Sequence, residues 1–427
     1  MKQVITWSGL VVLSAIFSGT AFAAALTTAW GEKIDETNAW REYPRPQMVR
    51  ANWTNLNGLW DYAVTPIAGC AGRPVKWDGK VLVPFALESA LSGVGRLVQP
   101  TELIWYTRTI TCSKKPGERL LLHFGGVDYR TMVFIGHREV TDVPHEGGQN
   151  PWTLDITDFV VDGANELTVC VWDPTEDFSI NSLGKQRFQT GGCVYTRMSG
   201  IWQTVWMESV PTRHIHDYKV VTDIDRSTVS FTFDVGGADG LVTVDVDGVG
   251  QVKGPAGTLS LTVPNARLWS PSDPHLYTFT WDGQDFRYGL RDSVIDRENG
   301  YFLNGRRLPI KGVCLHADMG ILGMAFNRSV MRRQLEIMKE MGANALRTSH
   351  NAPDPQVLEL CDEMGILVWD ECFDKWEGTA SRYGWENVEE FVGRNLVAFV
   401  KRDRNHPSVV AWSQSNEIVP ANGASPW

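Results

Sequence analysis

The feature that most constrains this chain is a change of pattern near residue 300, after which apolar strands alternate with amphipathic helices. Leu308 to His316 reads as a first strand, and Asn327 can cap a helix on which Met331, Leu335 and Met338 share a face and which Gly342 closes. Ala343 to His350 is the second strand. Pro355 suits a helix start, Leu358 and Cys361 face inward, and Gly365 ends the turn before a third strand, Ile366 to Glu371. Val388, Phe391, Leu396 and Phe399 mark another helix, and Val409 to Glu417 is the fourth strand. Repeats of this kind, with polar residues collected at the strand ends, predict a parallel α/β architecture: the first half of a (β/α)8 TIM barrel over 293–427. A flavodoxin-like open sheet is the alternative, but no Gly-rich phosphate loop follows the first strand.

Upstream, helical periodicity is missing. Short apolar runs such as Leu120 to Phe124, Thr131 to Ile135, Leu167 to Trp172 and Trp202 to Trp206 are separated by Gly147-Gly148, Asn150-Pro151, Asp162-Gly163 and Gly191-Gly192. Residues 24–210 are therefore expected to form an all-β jelly-roll sandwich. A second β block, 211–292, holds Val220 to Val221, Val229 to Phe233 and Leu241 to Val246 with Gly-rich turns between them, and suits an immunoglobulin-like sandwich. Pro264 to Pro274, with Trp269-Ser270-Pro271, reads as a rigid corner. The 427 residues are thus multidomain.

Composition narrows the partners. A net charge of -10 with mixed signs offers no basic stripe, so nucleic acid is excluded as a partner, while 18 tryptophans suit both sandwich cores and the grip of sugar rings. Lys2, the apolar run Leu10 to Phe17 and Ala21-Phe22-Ala23 have the form of a signal peptide over residues 1–23, which predicts a periplasmic or secreted protein. That run is shorter than a membrane span and no later stretch reaches the length, so no membrane partner is expected. The seven cysteines are odd in number and lack metal-type spacing; Cys70 with Cys112 is the one pairing worth testing. Asn52-Trp53-Thr54 and Asn327-Arg328-Ser329 match the glycosylation sequon.

Each barrel strand ends in groups fit for chemistry: His316, Arg347 with His350, Asp370 with Glu371, and Asn416 with Glu417. Glycoside hydrolysis needs one carboxylic acid to protonate the leaving oxygen and a second carboxylate to attack the anomeric carbon or activate water. Glu417 is the candidate acid, because an apolar strand end would desolvate it and raise its pKa, and Asn416 can bind a sugar hydroxyl. By itself an Asn-Glu pair is an ordinary strand cap.

Several segments together point further. Leu56-Asn57-Gly58-Leu59-Trp60, Val83-Pro84-Phe85, Trp105-Tyr106-Thr107-Arg108, Leu122-His123-Phe124-Gly125, His145-Glu146-Gly147-Gly148, Ser199-Gly200-Ile201-Trp202-Gln203, Leu303-Asn304-Gly305-Arg306, Arg347-Thr348-Ser349-His350-Asn351 and Arg402-Asp403-Arg404-Asn405-His406-Pro407-Ser408 span nearly the whole chain. With Trp412-Ser413-Gln414-Ser415-Asn416-Glu417 they resemble glycoside hydrolase family 2, the group of β-galactosidases, β-glucuronidases and β-mannosidases.

That resemblance implies Glu417 as general acid/base, Asn416 on the sugar 2-hydroxyl, and His316, Arg347, His350 and Glu371 as substrate-binding residues of the same pocket. It implies a retaining mechanism on terminal β-glycosides, with carbohydrate as partner and no cofactor. Asp370 and Glu371 also read as a brace of the strand end, and Arg402 to Ser408 as a structural lock. Trp-Ser-x-x-Asn-Glu-Ile leans toward a β-galactosidase; a β-glucuronidase is the nearest rival, and a non-catalytic carbohydrate-binding protein the alternative from another class. The stretch Asp374-Lys375-Trp376-Glu377 departs from the magnesium-binding pattern of some relatives, so no metal site is expected. No counterpart of the family's seventh-strand nucleophile precedes Trp427, so a truncated, inactive chain, poorly folded beyond residue 300, is expected. Its open strand edges would invite pairing with another copy as a homo-oligomer.

Overall fold

The computed structural model describes residues 28–417 apart from 71, 176–184, 238–239, 282–283, 318, 320–322, 325 and 375–387. The leader read at residues 1–23 and the Lys375–Glu377 departure lie outside them. Two antiparallel sheets make the first unit. One has the order Trp53–Asn55, Val205–Pro211, Glu118–Phe124, Trp152–Asp155; the other runs from Gly79–Val83 through Gly58–Pro66, Glu102–Cys112 and Gly163–Trp172 to Arg130–Ile135. Alternation along these strands sends one face of each sheet into a shared core that includes Trp60, Tyr106, Leu122, Phe124, Val133 and Val169.

Sheets of three and four strands form the second unit, from Ile215–Asp223 to Gln284–Tyr288. Phe231, Phe279, Phe286 and Trp281 fill the space between them. The Pro264 to Pro274 corner then turns the chain and buries Trp269 completely; its indole Nε1 donates to the Asp362 carbonyl at 2.9 Å.

The last part is a four-stranded parallel sheet in sequence order: β1 Gly312–His316, β2 Ala345–Ser349, β3 Leu367–Glu371 and β4 Val409–Ser413. Among the described residues the strands are connected by helices α1 Arg328–Glu340, α2 Pro355–Met364 and α3 Val388–Asp403. Local chemistry explains the helix ends. Asn327 Oδ1 accepts from the amides of Ser329 and Val330, and Asp354 Oδ1 caps α2 ahead of Pro355. Met331, Leu335 and Met338 of α1 are buried as their spacing predicts, with Leu358 and Cys361 of α2. Burying each large side chain of that group stabilises the packing by about 1.5–3 kcal/mol. Gly365 takes φ +68 after α2, and a Cβ there would lie 2.5 Å from the Pro271 carbonyl oxygen, so the corner seats the end of this helix.

Three sequence expectations change. Strand β1 begins at Gly312 rather than Leu308, and β4 ends at Ser413 rather than Glu417, because beyond Ser413 the backbone leaves the ladder and the Asn416 amide donates to the carbonyls of Phe373 and Asp374. Cys70 is not bonded to Cys112: the Cys112 thiol lies 3.9 Å from Met207 Sδ in the first core, whereas Cys70 packs near Cys170 on the outer face of the same unit. The side chains of Val388 and Phe391 lie outside the described residues, while Phe399 is buried.

Residues 402–408 do act as a lock, and a more extensive one than their charges imply. Arg404 donates to Asp217 Oδ2 at 2.9 Å, Asn405 Oδ1 accepts from the Val220 amide at 3.0 Å, and His406 Nδ1 lies 2.6 Å from Asp362 Oδ2. The end of α3 is thereby tied to the second β unit and to α2 at once.

Candidate active site

Successive residues of a strand face opposite sides of the sheet, and this separates Asp370 from Glu371. Asp370 turns toward the helices. It is fully buried, lies within 3.4 Å of the Thr348 hydroxyl, and its pKa is pushed well up by burial and by the neighbouring Asp403 carboxylate. Arg402, paired with Asp403 at 2.6 Å, supplies the compensating charge. Asp370 is a structural brace.

Glu371 turns to the other face and is also fully buried. Its Oε2 accepts from Arg347 Nη2 at 2.5 Å, Arg347 Nε at 3.0 Å and the Ser413 hydroxyl at 2.6 Å; its Oε1 lies 2.5 Å from His350 Nδ1. A buried carboxylate is tolerable only with such partners. Burial works against the Arg347 charge, but the Glu371 contacts outweigh it and raise the guanidinium's pKa.

The network continues outward. Arg347 Nη2 donates to Asn416 Oδ1 at 3.1 Å, and Asn416 Nδ2 donates to Asp374 Oδ1 at 2.8 Å. Two backbone carbonyls, those of Phe373 and Asp374, accept from the Asn416 amide. At the end of β1, His316 meets His350 edge-on with ring centroids 5.1 Å apart, and Tyr195 of the first unit at 5.9 Å. Burial, then the charges nearby, lower the pKa of His316, so it is neutral near pH 7, and its buried Nδ1 has no hydrogen-bond partner among the described residues. Beside it a cavity of about 30 Å³ runs between Trp202, Met324 and Phe326.

Glu417 corrects its sequence reading. It lies past the end of β4 with φ +49, and its side chain is 57% exposed rather than desolvated on an apolar strand. Lys185 of the first unit reaches it: Nζ donates to Glu417 Oε2 at 2.9 Å and lies 3.6 Å from Asp374 Oδ1. The structure thus gathers Arg347, His350, Glu371, Asn416 and Glu417 into one connected set, with His316 adjoining it. Lys185, Ser413, Asp374 and Tyr195 are additions. Ser413 was reachable from alternation along β4; Lys185 carries no motif, and only the fold brings it across 232 positions.

The Glu146-Gly147-Gly148 turn packs beside this region. The Gly148 carbonyl accepts from Trp202 Nε1 at 2.7 Å, and Asn150 Nδ2 donates to Asn395 Oδ1 on α3 at 2.9 Å. Among the described residues no group of three or more His, Cys, Asp or Glu side chains is placed to hold a metal ion. A larger cavity, about 400 Å³, sits apart from this chemistry between Arg45, Trp206, Tyr218, Gln356 and Lys401.

Comparison with known proteins adds a lineage. Residues 295–425 match the model of the glycosyl hydrolases family 2 TIM barrel domain and residues 93–211 that of the family 2 sugar binding domain, together more than half of the chain. The chain is 30% identical over 366 residues to β-galactosidase BoGH2A of Bacteroides ovatus, covering 77% of this chain and 41% of that protein. It is 27% identical over 451 residues to the β-glucuronidase of Sus scrofa, covering 93% and 68%. Among solved structures, the Faecalibacterium prausnitzii β-glucuronidase superposes with a TM-score of 0.71 at 25% identity, over 87% of this chain and 68% of that one. The chain spans 41%, 40% and 31% of the lengths of the first three curated relatives.

Proposed function

The chain belongs to glycoside hydrolase family 2, and from that premise we propose that the protein carrying it hydrolyses terminal, non-reducing β-glycosidic bonds by a retaining mechanism. The observation that supports this most is the connected set Glu371–Arg347–Asn416 with Glu417 beside it at the strand ends. Glu417, solvent-accessible and adjacent to Asn416, is the general acid/base: it protonates the leaving oxygen and then deprotonates the incoming water. Asn416, Arg347, His350 and His316 bind the sugar. Glu371 is committed to four donors and holds Arg347 and His350 in place, so the nucleophile, needed about 5 Å from the acid/base, is assigned to a carboxylate outside the described residues.

β-Galactosides are the first substrate class, following the Trp412-to-Ile418 wording and the likeness to BoGH2A. β-Glucuronides are the second reading, favoured by relatives of similar identity named as β-glucuronidases. The architecture that accompanies this function is a jelly-roll sandwich over 24–210, an immunoglobulin-like sandwich over 211–292 and the first half of a TIM barrel over 293–427, exported by the leader at 1–23. Nitrophenyl β-galactoside and β-glucuronide hydrolysis, by residues 24–427 and by the same chain extended through its reading frame, tests the proposal. Activity that Glu417→Gln lowers by about 10²–10⁴-fold supports the assignment, and activity indifferent to Glu417 overturns it. Sugar binding with no hydrolysis in either form would favour a non-catalytic carbohydrate-binding protein.

A further inference from the structure

We propose that Lys185, supplied by the first β unit, is a positioning residue for Glu417: its ammonium holds the carboxylate in place and favours its ionised form. The inference rests on the reading of Glu417 as the acid/base and adds to it a residue from another unit.

The Lys185 side chain is only 6% exposed, and burial of an ammonium is costly unless carboxylates or other acceptors meet it. Here two do, Glu417 at 2.9 Å and Asp374 at 3.6 Å. The backbone on either side is anchored as well. The Tyr195 amide donates to the Lys185 carbonyl at 3.0 Å, Gln186–Arg187 pairs in parallel with Tyr195–Thr196, and Tyr195 reaches His316. Lysine and tyrosine from this one segment therefore meet the ends of β4 and β1. Glu417 itself lies beyond the β4 ladder in the left-handed region, where strand packing does not fix its side chain. Lys185 does that work from across the unit boundary.

The chemistry follows from the distance. A cation this close stabilises the ionised carboxylate, the form that accepts a proton from water in the second half of a retaining reaction. Besides Glu417, the titratable groups around the ammonium among the described residues are Asp374 after β3, His316 at the end of β1 and Cys193 in its own segment. Asp374 divides the charge: it engages both Lys185 and Asn416, so the two neighbours in sequence, Asn416 and Glu417, are held by one acid–lysine pair.

The test is a pH titration of the chain labelled with carboxyl-¹³C glutamate, the Glu417 signal being identified by its loss in Glu417→Gln. Glu417 is expected to titrate about one unit or more higher in Lys185→Met than in wild type, and again near wild type in Lys185→Arg. An unchanged midpoint in Lys185→Met overturns the proposal. Should that variant fail to fold, the reciprocal measurement stands, because Glu417 is the exposed partner: in Glu417→Gln the ¹⁵N-detected midpoint of Lys185 falls if the pair exists, and its constancy overturns it. In the extended, active chain, Lys185→Met moves the basic limb of the kcat/KM profile to higher pH by the same amount, and Lys185→Arg restores it. Failure of the acid/base reading shows separately, as hydrolysis indifferent to Glu417→Gln while the titration shift persists.

Discussion

Glu208 is fully buried in the strand Val205–Pro211 of the first unit, and replacing it with glutamine tests the physics of this fold directly. Its carboxylate lies 2.5 Å from Arg50 Nη1, 3.2 Å from Arg45 Nη2 and 3.2 Å from His123 Nε2, and it accepts from Trp206 Nε1 at 3.0 Å and from the Tyr43 hydroxyl. Arg50 also donates to the Ile215 carbonyl at 2.6 Å, so the hub joins residues 43–50 to both β units. Removing one partner of such a buried group leaves two guanidinium charges short of a counter-ion, which costs about 3–5 kcal/mol. For a unit of this size that is a fall of roughly 6–20 °C in Tm. The pH dependence gives a second signature. Burial alone would raise the Glu208 pKa, but Arg45, His123 and Arg50 overcome it and hold it far below the usual carboxylate range. A depressed folded-state pKa contributes stability that is present above the unfolded value, about 4.3, and is lost as pH falls below it. The advantage of wild type over Glu208→Gln should therefore begin to shrink below about pH 5 and keep shrinking through pH 3, by about 1.4 kcal/mol for each pH unit below the unfolded value, because the folded-state pKa lies far lower still. Thermal unfolding by circular dichroism at pH 7, 5, 4 and 3 measures both effects. A Tm within about 2 °C of wild type at pH 7 would refute the argument, because the hub would then add nothing beyond what a neutral amide supplies.

Two further outcomes follow from buried groups elsewhere. Glu88 is pushed up to about 7 by burial, with Asp173 adding repulsion, so its folded-state pKa lies above the unfolded one. Its contribution is complete below the ordinary carboxylate value and is lost as pH rises toward 7, a change of up to roughly 3 kcal/mol. The stability of Glu88→Gln relative to wild type should accordingly be higher at pH 8 than at pH 4 by urea unfolding, and a pH-independent difference would contradict this. Gly365→Ala meets both a positive φ and the Pro271 backbone at 2.5 Å, and should lower stability by about 2–4 kcal/mol, read as a lower Tm.

How much of this was legible in the sequence depends on how far apart the interacting residues lie. The helix cap at Asn327, the helix start at Pro355 and the buried stripe Met331–Leu335–Met338 are written within a single helix turn or two, so periodicity and capping chemistry suffice to find them. The strand ends are less legible. Ser413-Gln414-Ser415-Asn416-Glu417 follows the apolar run Val409 to Trp412 with no Gly or Pro to end it, yet the ladder stops at Ser413, and the Asn416 amide donates instead to the carbonyls of Phe373 and Asp374. The same reasoning separates Asp370 from Glu371. Adjacent acids invite a shared role, but alternation sends one to Asp403 and the helices and the other to Arg347 and His350.

The environment of Glu417 was not legible at all from its own neighbourhood. An apolar strand end argues for desolvation, whereas the structure leaves the carboxylate more than half exposed and supplies its charge partner from Lys185, in a segment with no recognisable motif. Local pattern can name a candidate carboxylate by its type and place. The protonation state of that carboxylate is decided by charges that only the packing of one unit on another brings near. In this chain the first β unit reaches the strand ends of the parallel sheet through residues 185–196, where Lys185 meets Glu417 and Tyr195 meets His316.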